Sequence, residues 1–388
     1  MKRIGLIIER HWHYGRRLCE GVAAYSRETG SLALEFPAWD ALDSPRDLRR
    51  RYDGFIARVW DNPIATALRK ARRPTIDVYG GAPNRAFVLV DQNARKIAQL
   101  AARHFLEHRF TRFAFCGYAN QRFSVLLRKA FVHALKLNRF DCAVFEDRDF
   151  SSEQFADKIV GHEDFTFRLS PHELLAWVRS LEKPVAVFCA HDLVALDLVQ
   201  TCRKAGIAVP GDVAVLGVDN DPLVCDFANP TISSVDPDPF AIGYAAARTL
   251  DDWLDDPAKR PSDVLLAPEG LVERASTQVY PTNVPWLSDA LVWIRRNAAR
   301  GVNASDLFAY LKRSHTLVER VFRKELGTSV RKEISSVRIE EAKRLLETSS
   351  LSLAEVGERA GFASAAYFTS TFRLATGRTP GEWRNAGQ

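Results

Sequence analysis

The 388-residue sequence predicts a two-lobed α/β domain followed by an all-α domain that carries two helix–turn–helix units. Three observations lead there. Short apolar runs alternate with helical stretches through the first 270 residues or so, the pattern of a parallel sheet covered on both faces. A two-helix pattern then occurs twice, about fifty residues apart, so that Phe322 and Gly327 recur as Phe372 and Gly377. Finally, the formal charge of +6 is confined to one end: residues 286–388 hold 17 Lys/Arg against 11 Asp/Glu, and residues 1–285 hold 37 of each.

In chain order, residues 3–8 read as a buried first strand, since the apolar run is about five residues long and ends in charge, unlike a leader peptide. Strands follow at 32–36, 53–59, 74–79 and 86–91, with helices between most of them, among them 17–26 and 63–71. A second series begins at Arg112: strands at 112–117, 143–145, 185–190, 213–218 and 232–235, and helices near 125–137, 171–181, 192–205 and 239–254. Two successive series imply two lobes in sequence, with a ligand cleft where the strands end. Residues 1–273 form this domain, 274–287 a linker with two prolines and polar residues, and 288–388 the helical domain. No run approaches the eighteen apolar residues of a membrane span. The six cysteines are scattered, without a CxxC pair or a His at metal spacing, and read as reduced residues of a cytoplasmic protein that needs no metal or cofactor.

The helix–turn–helix units span 305–327 and 351–377. In each, a Ser (Ser314, Ser364) precedes the second helix, where its hydroxyl can cap an orphan N–H. Such a pair lays its second helix in the major groove of DNA, and the surplus of positive charge suits phosphate contact. Residues 328–347 carry apolar Val330, Ile334, Val337, Ala342, Leu345 and Leu346 at helical spacing, a rigid spacer between two readers. Leu307, Leu311, Val318, Phe322, Val356, Phe368 and Phe372 are their core.

Gly361-Phe-x-Ser-x-x-Tyr-Phe, then Phe372-Arg-x-x-x-Gly-x-Thr-Pro-x-x-Trp-Arg384, resembles the C-terminal signature of the AraC/XylS regulators, and Val318-Glu-Arg320-Val-Phe322-Arg stands at the matching place of the first unit. The resemblance implies that Thr316, Glu319 and Arg320 face bases, with Arg320 the strongest candidate because Arg–guanine is the commonest specific contact. The same residue could instead pair with Glu319 or Glu325. In the second unit the corresponding positions are Ala366, Tyr367 and Ser370; Ala366 could touch a thymine methyl, and Tyr367 and Thr369 could hold phosphates.

The first half resembles the periplasmic-binding-protein-like sensors of the LacI type through Ala190-His-Asp192-Leu-Val-Ala-Leu-x-Leu, Gly206-Ile-x-Val-Pro-x-Asp-Val-Ala-Val-Leu-Gly217-Val-Asp219-Asn and Ile232-Ser-Ser-Val-Asp. A sensor of that type joined to an AraC-type reader resembles the regulators of sugar operons. It implies no enzyme and no catalytic residue. It also implies a sugar effector (xylose or a related pentose), a double-stranded DNA operator, activation through RNA polymerase, a homodimer and no membrane contact. By that resemblance Tyr14, Arg16, Asp192 and Asp219 enter the cleft. Asp192 also reads as a helix N-cap, Asp219 as a turn residue, and Tyr14 and Arg16 as exposed loop. Trp12, Tyr14, Trp39 and Trp60 could form a stacking face for a sugar or belong to the core. Sensors of this type carry an Arg four residues before an aromatic in a second-lobe helix. Here Leu127 holds that place before Phe131, with Arg128 one step late and Arg122 further back. A one-residue shift turns a helical side chain by about 100°, which leaves open a second reading in which the cleft senses another ligand or a protein partner. A DNA-repair methyltransferase is opposed by the absence of clustered N-terminal cysteines and of a Pro-Cys-His nucleophile.

Overall fold

The computed structural model describes residues 1–60, 62–81, 86–148, 169–282 and 284–386, and divides into two compact units, Met1–Gln278 and Val279–Gln388. Within the first, strands β1 (Lys2–Ile7), β2 (Leu32–Glu35), β3 (Gly54–Ala57), β4 (Thr75–Asp77) and β5 (Val88–Gln92) alternate with helices, as do β6 (Phe113–Tyr118), β7 (Cys142–Asp147), β8 (Val185–Cys189), β9 (Val213–Val218) and β10 (Ser233–Asp236). Two further short strands, β11 (Val264–Leu266) and β12 (Gly270–Val272), follow. The sheets run β11-β5-β4-β3-β1-β2 and β12-β10-β9-β8-β6-β7. Every pairing is parallel except the antiparallel β10–β12. β3, β8 and β9 are buried at every position, because helices cover both faces of such sheets.

The lobes are not consecutive in sequence, which corrects the expectation of one series per lobe. After β10 the chain returns to the first lobe: helix Pro239–Asp255 packs along helix His13–Thr29, β11 joins the first sheet, and β12 goes back to the second. Two glycines permit the helix pair. A Cβ on Gly21 would lie 2.0 Å from the Phe240 carbonyl oxygen, and one on Gly243 2.0 Å from that of Leu18. Around this contact Leu18, Val22, Ile242, Ala246 and Leu250 are fully buried, the larger ones each worth about 1.5–3 kcal/mol on burial. Asp251 of the returning helix accepts bonds from Lys2 Nζ (2.6 Å), Ser31 Oγ (2.6 Å) and Tyr25 Oη (3.0 Å). Burial pulls its carboxyl upward, yet these donors hold it below the usual aspartate value.

The second unit is helical throughout its described residues. Pro285–Asn297 precedes the first helix–turn–helix (Ala304–Leu311, His315–Leu326). The long helix Val330–Thr348 leads to the second (Leu353–Arg359, Ala365–Thr376), and Pro380–Ala386 follows. Ser314, Ser329, Ser352 and Ser364 each cap a helix, and Gly327 and Gly377 end the two recognition helices at φ +65° and +75°, where a Cβ would be strained. The long helix serves two cores. Val330 and Ile334 pack with Leu307, Val318 and Phe322, whereas Ile339, Ala342, Leu345 and Leu346 pack with Val356, Phe368 and Phe372. Leu311, expected in the core, is only partly buried. Arg338 binds the carbonyls of Ala298 (3.0 Å) and Val302 (2.7 Å), and Gly361 (φ +87°) sits where a Cβ would be 2.4 Å from the Ala298 oxygen. Two readers are thereby fixed on one rod.

Candidate functional site

A cavity opens at the carboxyl ends of strands from both lobes of the first unit. Arg58 follows β3, Tyr79 follows β4, Asp91 and Gln92 end β5, His191 follows β8 and Asp219 follows β9; Trp12, Tyr14 and Phe123 come from loops and helix starts. Placement at strand ends follows from parallel topology, which points every carboxyl end to the same side.

Arg58 is the central cation. It is ion-paired with the fully buried Glu9, and its guanidinium lies 5.2 Å from the Tyr14 ring centre and 5.0 Å from that of Tyr79. Burial lowers its pKa and raises that of Tyr14, since the charged form of each loses water in this aromatic setting. Arg122 reaches across from the second lobe to the Tyr79 carbonyl (3.1 Å) and to Asp91 Oδ2 (3.2 Å). Burial nonetheless outweighs that cation and pushes Asp91 up to about 7. On the other wall His191 Nδ1 accepts the Leu193 N–H at 3.1 Å, which leaves Nε2–H to donate to Asp219 Oδ2 at 3.0 Å. Burial lowers the His191 pKa, but the Asp219 carboxylate reverses the sign and raises it overall.

Of the sequence-predicted cleft residues, Tyr14 and Asp219 line the cavity. Arg16 does not; its guanidinium binds the carbonyls of His11 (2.6 Å) and Arg10 (3.4 Å). Arg128 is held by Glu146 at 2.7 Å, outside the lining, as the rotation of one helical position dictates. Asp192 is fully buried behind the wall: it accepts Ser234 Oγ–H (2.6 Å) and the Asp221 N–H (2.9 Å), which brace the loop that presents Asp219. Gly217 is what admits it, since a Cβ there would stand 2.1 Å from Asp192 Oδ1. His191, rather than Asp192, is the N-cap of the helix Asp192–Lys204. Trp12 faces the cavity, whereas Trp39 and Trp60 pack on each other at 5.7 Å. Sequence reasoning missed Arg58, Tyr79, Asp91 and His191. The available signal was that each stands within a residue of the carboxyl end of a strand that was predicted.

In the second unit, Thr316 and Arg320 are exposed on the first recognition helix, and Arg320 makes no ion pair among the described residues. Glu319 is half-buried and lies 3.9 Å from Arg323. Ser314 and Ser364 are caps, accepting the Leu317 and Tyr367 N–H groups at 3.4 and 3.2 Å. Ala366, Tyr367, Thr369 and Ser370 are exposed on the second recognition helix. The hydroxyls of Thr369 and Ser370 donate to the carbonyls of Ala365 (2.9 Å) and Tyr367 (3.1 Å), and bonding to Arg331 lowers the pKa of the Tyr367 phenol. Arg373, unnamed by the sequence reading, shares an exposed groove with Ala366, Thr369 and Ser370 and supplies its cation.

Fold and sites together define a two-lobed binding-protein sensor with a helix–turn–helix DNA-binding domain, the architecture of a transcription regulator. Residues 102–277 match the periplasmic binding protein-like domain family, and residues 307–386 a helix-turn-helix domain family. Along its whole length the chain is homologous to the xylose operon regulatory proteins. It is 25% identical to that of Haemophilus influenzae, with 98% of each chain covered, and 26% identical to that of Escherichia coli K12, covering 99% of this chain and 97% of the relative. The solved structure of a xylose-binding transcription activator superposes with a TM-score of 0.60 at 24% identity, over all of this chain and 98% of that one. A ribose-bound LacI family regulator from Enterococcus faecalis superposes on 73% of this chain and all of its own, with a TM-score of 0.56 at 20% identity. The homologues are transcription regulators, not enzymes. No helix among the described residues is long and apolar enough to cross a membrane.

Proposed function

We propose that this chain is a cytoplasmic, sugar-responsive regulator that binds DNA sequence-specifically and activates carbohydrate-utilisation genes, with xylose or a related pentose as effector. The observation that carries the reading is the company in the cavity: two carboxylates (Asp91, Asp219), a buried guanidinium (Arg58) and aromatic faces from Trp12, Tyr14 and Phe123. A carboxylate accepts bonds from neighbouring hydroxyls, a guanidinium donates to their oxygens, and an aromatic face takes the C–H side of a sugar ring. The names of the full-length relatives support the pentose.

Sugar binds both walls at once, so it favours the arrangement of lobes in which Asp91 and Asp219 face one ligand, and the population shifts accordingly. A homodimer then presents four recognition helices to two half-sites, with RNA polymerase as the partner in activation. Arg16, Arg128 and Asp192 act as supports in this scheme, and Arg320 as the principal base reader. The test is a thermal-shift screen of the full chain against pentoses, hexoses and sugar alcohols. A ligand at 1,000 times its Kd adds about 4.1 kcal/mol, and xylose should give the largest rise. No rise with any sugar would remove the effector assignment while leaving DNA binding intact.

A further inference from the structure

No metal is expected from the scattered cysteines, which have no His at metal spacing. Yet His104 and His108 stand four residues apart on one face of the helix Ala94–Glu107 and its cap, with ring centres 4.3 Å apart. Both are buried, 5% and 1% exposed. Glu273, just after β12, brings Oε1 to 3.2 Å from His108 Nε2, and one donor atom from each of the three residues lies within 4.8 Å of the others. We propose that His104, His108 and Glu273 form a binding site for a divalent transition metal of the zinc type.

The donor chemistry fits. Two imidazoles and one carboxylate are a zinc ligand set that keeps a fourth position for water; metal–ligand bonds of 2.0–2.2 Å at tetrahedral angles put donors roughly 3.3 Å apart. Closing from the observed spacing takes side-chain shifts of about an ångström, within reach of torsional adjustment. The outer contacts are of the kind that orient metal ligands. His108 Nδ1 lies 2.8 Å from the His104 carbonyl, which sets Nε2 as the ligand atom, and the buried Thr277 hydroxyl lies 2.9 Å from His104 Nε2. The site has a place in the fold. It ties the helix that enters the second lobe to the last residues of the sensor unit, where Thr277 and Ser233 bond at 2.7 Å. A metal would therefore clamp the segment through which the chain leaves that unit.

The full chain, freed of metal by a chelator and dialysed against Zn²⁺ or Co²⁺, tests this. One ion per chain is expected, with a raised melting temperature for Zn²⁺ and tetrahedral visible bands for Co²⁺. Glu273→Gln should weaken binding more than the 10–100-fold loss typical of an outer partner, and Thr277→Val by about that loss. His108→Asn should abolish the Co²⁺ bands. Should His108→Asn fail to fold, the partly exposed Glu273→Gln carries the comparison, with circular dichroism confirming its fold. Absence of stoichiometric metal in the folded wild type overturns the proposal. So does binding unchanged in Glu273→Gln, as attachment at the His11–His13 loop would give.

Discussion

His191 and Asp219 form a hydrogen-bonded pair across 3.0 Å whose polarity is set by the backbone: Leu193 N–H occupies Nδ1, so only Nε2 can donate. The pair engages one acceptor oxygen of Asp219, whose side chain lines the cavity. In Asp219→Asn the largest raising cause disappears, and burial, which lowers the His191 pKa, is opposed only by the smaller pull of Asp192 and Asp221. Imidazole NMR titration should then show a lower His191 pKa in the variant than in the wild type. The sign for stability follows: the wild-type pair contributes fully below about pH 6.5 and is lost as pH rises through the raised folded value. A variant pKa at or above that of the wild type would show that Asp219 is not the cause.

Asp91, pushed up to about 7, is largely neutral at pH 6 and charged at pH 8. Sugar-induced stabilisation should therefore grow across that interval, because the charged form is the better acceptor of two hydroxyl bonds. Asp91→Asn should weaken binding and flatten this dependence. For the free protein the sign is opposite: the raised pKa favours the protonated folded state, so its contribution is lost as pH rises from about 4 to beyond 7.

Removing Arg58 strands Glu9. Arg58→Met should cost about 3–5 kcal/mol in urea unfolding, the penalty of an uncompensated buried charge, and Glu9→Gln in the same chain should recover a large part of it. Equal stability of the single and double variants would mean that Glu9 finds another partner.

Gly243→Ala tests the return of the chain to the first lobe. With the Leu18 carbonyl 2.0 Å from the new carbon, the helices Pro239–Asp255 and His13–Thr29 must separate, at a cost of about 1–3 kcal/mol or more. The melting temperature should fall by several degrees, whereas Gly270→Ala, with open space around its Cβ position, should leave it unchanged.

Arg320→Ala should lose about 1–3 kcal/mol of operator affinity and relax the preference at one base pair. Arg373→Ala should weaken all sequences alike and reduce the salt slope by about one. Band-shift titrations against a randomised site at two salt concentrations separate these outcomes; equal sequence dependence in both variants would remove Arg320 as a base reader.

The readers were legible because everything that makes a helix–turn–helix lies within some twenty residues: a capping Ser, apolar positions on one face, a terminal Gly. Ser314, Phe322 and Gly327, and likewise Ser364, Phe372 and Gly377, occupy the roles their spacing implies. The ten principal strands were legible as well, since buried parallel strands are runs of β-branched and aromatic residues. The three-residue strands β11 and β12 were not, because three residues carry no period.

Taken alone, the sequence determined the fold class, the two reading heads and the side of the sheets on which a ligand must sit, since each rests on local pattern and parallel topology. Only the tertiary structure decided which lobe owns helix Pro239–Asp255, which aspartates face the cavity, and that His104 and His108 meet Glu273. Each depends on groups far apart in sequence, brought together by packing. Asp192 and Asp219 look alike as residues at strand ends, and what separates them is that Ser234 and Asp221 close around one while the cavity opens before the other.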